Sequence, residues 1–143
     1  MRRHILKLLI IFGFGGYTLL GCGQIHLGQA TPNDNAPTNA VIVAQGSFTG
    51  ENQKTVSGVA VIYRDIATST HIIRLEGIST PSESNLAVQA KANSAVVFSS
   101  SLRASSGTQN YATSVTGTPQ WNSVIIHSIT NNLDYGTALL TSR

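Results

Sequence analysis

The sequence predicts an all-β fold, a single antiparallel β-sandwich carried on a flexible N-terminal tether. Three observations predict it. Short β-branched or apolar runs recur along the chain, separated by Gly, Asn, Ser, Thr and Pro. Several of these runs alternate with period two, the pattern of a sheet with one apolar and one solvated face. No segment carries a convincing helical period. Short strands at this spacing suggest a sandwich or a closed barrel.

The chain begins differently. Arg2, Arg3 and Lys7 form a positive start, and Leu8 to Leu20 is an apolar stretch broken by Gly13, Gly15 and Gly16. That stretch is too short and glycine-rich for a spanning helix and has the build of a secretory leader. Leu19-Leu20-Gly21-Cys22 ends it, with a small residue before the only cysteine. Residues 1–21 are therefore expected to be a lipoprotein signal peptide. The Cys22 thiol is the expected lipidation site, and a diacylated cysteine anchors stably where one acyl chain does not.

Residues 22–45 read as the lipidated cysteine and a linker. Thr31-Pro32-Asn33-Asp34-Asn35-Ala36-Pro37 has turn chemistry and no apolar periodicity. Ala40 to Ala44 is the one place in it that could form a strand. The folded domain is expected over residues 46–143.

Within that domain the strand-like runs are Val56 to Tyr63, His71 to Ile78, Leu86 to Ala90, Val96 to Ser100, Val124 to Ile129 and Thr137 to Thr141. Val59, Val61 and Tyr63 share one face. Ile73 and Leu75 share a face against Arg74 and Glu76. Leu86, Val88 and Ala90 oppose Gln89 and Lys91. Around Pro81 there is room for a turn of helix at most.

Charge and cysteine usage narrow the function. The whole chain is formally +3, with nine Lys and Arg against six Asp and Glu. Three of the nine lie in the leader, so the remainder balances at zero. A neutral domain has no electrostatic case for nucleic acid. With Cys22 lipidated no thiol remains, so neither a disulfide nor a cysteine nucleophile is expected.

His127 is the sharpest candidate for chemistry. It lies in Ile125-Ile126-His127-Ser128-Ile129, in phase with Ile125 and Ile129. We expect that face to be inward, with the imidazole buried, neutral and structural. The alternative is a metal or haem ligand, although zinc wants three or four donors. His71 begins its run and is expected to be exposed, and His26 falls in the linker. Glu76 and Glu83 do not pair as acid and base, and Ser99-Ser100-Ser101 lacks a nucleophile elbow. Gly107 suits a turn with positive φ, with Tyr111 entering the core on a hydrogen-bonded hydroxyl. Trp121 follows a turn and is expected to cap the sandwich.

A series of residues resembles a known family. It comprises Gly46-Ser47-Phe48, Val56-Ser57-Gly58, Leu86-Ala87-Val88, Ser101-Leu102, Gly107-Thr108-Gln109-Asn110-Tyr111, Ser123-Val124-Ile125 and Tyr135-Gly136-Thr137-Ala138-Leu139-Leu140. In order and spacing it is similar to the DM-thirteen domain of bacterial exported proteins and animal surface proteins. The resemblance implies a β-sandwich and an extracellular electron-transfer role tied to a characteristic cysteine. This chain has His127 at that position, and Glu83-Ser84-Asn85 replaces the family's Gly-Pro-Asp. The thiol chemistry therefore does not carry over.

The resulting expectation is a membrane-anchored, extracytoplasmic lipoprotein acting as a non-enzymatic binding module, without a cofactor. Its partners would be the membrane, through the lipid, and an envelope protein or glycan. The alternative is the family's redox role, with a haem or metal at His127.

Overall fold

The computed structural model describes residues 30–143. The expected leader, Cys22 and His26 lie outside the described residues. Nine strands follow in order: β1 (Ala40–Gly50), β2 (Ser57–Asp65), β3 (Thr70–Ser79), β4 (Leu86–Ala92), β5 (Ala95–Ser101), β6 (Ser106–Thr116), β7 (Trp121–Ser128), β8 (Leu133–Leu139) and β9 (Thr141–Ser142). All the ladders between them are antiparallel. No helix among the described residues is long and apolar enough to cross a membrane.

The strand order is β5-β4-β7-β8-β1-β2-β3-β6, with β9 beside β1. β1 is long because it serves two layers. Residues 40–47 pair with β2, and Phe48 to Gly50 pair with β8. The strand turns its corner near Gly46, where a Cβ would collide with the Leu139 carbonyl. Only glycine allows so close an approach. The outer strands β5 and β6 come together without a ladder. Phe98 and Tyr111 close that seam edge to face, their ring centroids 6.2 Å apart. The result is a sandwich that is nearly a closed barrel.

The core lies between the layers. Ile62, Ile73, Leu75, Val88, Ile126 and Tyr135 are all fully buried there. Each such aliphatic side chain contributes about 1.5–3 kcal/mol by leaving water. Alternation assigns β3 and β4 correctly, since Ile73, Leu75, Leu86, Val88 and Ala90 point inward. It misassigns β2. There the core takes Ala60 and Ile62, which are out of phase with Val59, Val61 and Tyr63.

Two further expectations are corrected. The folded unit starts before Gly46, because β1 begins at Ala40. The segment before it is also docked. Asn33 bridges Thr108 in parallel, and the Thr108 N–H donates to the Pro32 carbonyl at 2.7 Å. Second, Ser106–Thr116 is an eleven-residue strand. Its composition is mostly Ser, Thr, Gln and Asn, which hides it from an apolar-run criterion.

Candidate functional site

An opening lies at one end of the strands, where the β3–β4 and β5–β6 connections meet. It has a volume of about 430 Å³. Ser82, Ser84, Asn85, Ser101, Ser105 and Ser106 supply its polar wall, with Leu102 and Ile129 beside them. The docked N-terminal segment contributes Thr31.

The Gly107–Tyr111 motif lies behind this wall and holds the β5–β6 connection. Gly107 adopts a φ of 102°, and a Cβ there would strike the Pro32 carbonyl of the docked segment. Gln109 is fully buried, and its amide donates to the Ala104 carbonyl at 2.8 Å. The Tyr111 hydroxyl donates to Gln109 Oε1 at 2.8 Å and accepts from the Arg103 N–H at 3.1 Å. Two side chains of β6 thus hold the backbone of the β5–β6 connection in place. Burial raises the Tyr111 phenol above its ordinary value, which keeps it a neutral donor. The expected role of Tyr111 is therefore observed.

Both charged residues of the wall are occupied elsewhere. The Arg103 guanidinium donates to both carboxylate oxygens of Asp34, and the Asn110 N–H donates to the same carboxylate at 2.8 Å. These bonds, led by that from Arg103, hold the Asp34 carboxyl below its ordinary value. Glu83 accepts from Lys54 Nζ at 2.8 Å and from the Tyr135 hydroxyl. Lys54 first, then Tyr135, lowers the Glu83 carboxyl. The opening therefore presents hydroxyls, amides and backbone groups with no unpaired charge in its wall.

His127 is not where the sequence reading put it. The inward residues of β7 are Val124 and Ile126, because they lie opposite Ala90 and Val88 of β4. His127 falls on the outer face, with its side chain 18% exposed. Its Nδ1 lies 2.7 Å from Asp134 Oδ1, across a bulge in β8. It lines neither of the two cavities described here. Among the described residues, no three His, Cys, Asp or Glu gather as a metal-binding group. Ser101 shares its row on the sheet but stands two strands away, beyond Ala87. At about 4.8 Å per strand that is too far for a serine–histidine hydrogen bond.

His71 reverses its expectation too. It is 1% exposed. Its ring meets Trp121 edge to face with centroids 5.2 Å apart, at the opposite end of the strands from the serine-lined opening. The signal for this was present, since His71 is in phase with the inward Ile73 and Leu75. Trp121 is buried as a cap, as expected.

Comparison with family models, with curated proteins and with solved structures finds no match to this chain.

Proposed function

We propose that the protein is an extracytoplasmic lipoprotein, anchored through Cys22, whose sandwich is a non-enzymatic binding module for a neutral, hydroxyl-rich ligand of the glycan class. The observation that carries this reading is the serine-lined opening, whose only charged side chains, Arg103 and Glu83, are already paired. A ligand held by hydroxyl and amide groups gains directional hydrogen bonds, and without a charge it does not compete with Asp34 or Lys54 for their partners. Leu102 and Ile129 offer apolar surface to the carbon faces of a sugar ring. The leader pattern and the resemblance to an exported-domain family support the location.

Two measurements test the reading. Titration of the full-length chain with uncharged envelope oligosaccharides should give saturable binding, and Ser101→Trp should weaken it at least tenfold by filling the opening. Undiminished binding by that variant would overturn the assignment of the site. Mass spectrometry of native protein should find the leader removed and Cys22 diacylated. An intact leader or an unmodified Cys22 would refute the anchor.

A further inference from the structure

A second, smaller cavity of about 110 Å³ lies at the far end of the strands, the length of β3 away. At the strand rise this separation is roughly 30 Å. Val43, Pro119 and Trp121 form its apolar wall, and Arg64, His71 and Ser142 its polar one.

Its polar groups are unusually placed. His71 Nδ1 lies 3.0 Å from the Val115 carbonyl oxygen. A carbonyl only accepts, so Nδ1 carries a proton, and in the neutral ring Nε2 is a bare acceptor. Nε2 has no partner among the described residues. Among the described residues, the one side-chain nitrogen or oxygen that is both fully enclosed and unpartnered is Trp121 Nε1. His71 Nε2 therefore keeps a small accessible surface, and His71 lines the cavity. Arg64 stands at the same cavity and forms no ion pair among the described residues. The wall contains no carboxylate. Asp65, next in the chain, is committed to its own turn through the Ala67 and Thr68 N–H groups.

These groups define a ligand by chemistry. The unpaired guanidinium asks for an anion, and guanidinium matches carboxylate geometry. The bare imidazole nitrogen asks for a donor. The indole, proline and valine offer a small apolar surface. We infer that this cavity binds a small carboxylate bearing a neighbouring hydrogen-bond donor, as in an α-hydroxy acid or the terminal residue of a peptide. The carboxylate would sit on Arg64, the donor on His71 Nε2 and the carbon body against Trp121. This site is independent of the glycan reading and would survive its failure.

Trp121 is the only tryptophan of the chain and touches the cavity, so intrinsic fluorescence reports occupancy directly. Lactate added to the full-length chain should change that fluorescence saturably. Propionate, which lacks the donor, and lactamide, which lacks the charge, should each bind at least tenfold more weakly. Arg64→Gln should bring lactate down to the lactamide level. Because substitution of buried His71 risks the fold, its part is read in the wild type: lactate should shift the Nε2 nitrogen resonance. N-acetylalanine binding more tightly than lactate would assign a peptide terminus as the source, and the reverse a free hydroxy acid. No saturable change, equal binding of lactate and propionate, or an unaffected Arg64→Gln variant would each overturn the inference.

Discussion

The two histidines within the strands occupy opposite kinds of site, and each occupies the one expected of the other. His71 is enclosed at one end of the sandwich, beneath Trp121, with one ring nitrogen held by a backbone carbonyl. His127 lies on the outer face of β7 beside the Asp134 carboxylate. Both residues sit in apolar runs. What separates them is the phase of alternation, which follows from the strand across the ladder rather than from immediate neighbours. His71 pairs with Arg64 and keeps step with Ile73 and Leu75. His127 pairs with Ala87, out of step with Val88 and Ile126.

Removing each ring is the most direct way to break this comparison. His71→Ala should cost about 2–4 kcal/mol, because it leaves a cavity and strips the Val115 carbonyl of its partner. Urea unfolding followed by Trp121 fluorescence would measure it. A loss under about 1 kcal/mol would mean that the His71 end collapses at little cost.

Acid sharpens the comparison from a third place, the segment docked on β6. The Asp34 carboxyl is lowered from its ordinary value of 3.8, first by Arg103 and then by the Asn110 N–H. A depressed folded value means that the stabilisation is fully present above the unfolded value and is lost as pH falls through the folded one. Asp34→Asn should flatten the loss of stability below about pH 4. Its cost at neutral pH should fall between those of the two histidine substitutions. An unchanged acid profile in this variant would show that the docked segment contributes nothing to the fold's acid response.

The smallest effect is expected at His127. His127→Ala should cost less than about 1 kcal/mol, since a partly solvated pair beside Asp134 is worth little. His127→Cys should be equally mild. A loss above about 2 kcal/mol at His127 would erase the distinction between the two regions.

Much of the fold was legible without coordinates because its cause is local. In β3 and β4 the apolar residues occupy a single parity, so one face must be inward, and it is. Turn residues separate those strands, and a positive φ at Gly107 was predictable from glycine alone. In β2 and β7 the apolar run is continuous, as in Val59-Ala60-Val61-Ile62 and Val124-Ile125-Ile126. Either parity buries a comparable aliphatic area, so side-chain type cannot choose between them. The register against β3 and β4 chooses, and with it the position of His127.

By itself the sequence determined the class of fold, the alternating faces of β3 and β4, and the balance of six basic and six acidic residues over residues 22–143. Only the tertiary structure decided that residues 31–35 dock on β6, that β6 is a strand, and that His71 and Arg64 share a cavity. The physical reason is range. Alternation and turn chemistry act between neighbours in the chain. The docked segment depends on Asp34 meeting Arg103 and Asn110, residues that lie far away in sequence and become neighbours only when the sheet closes.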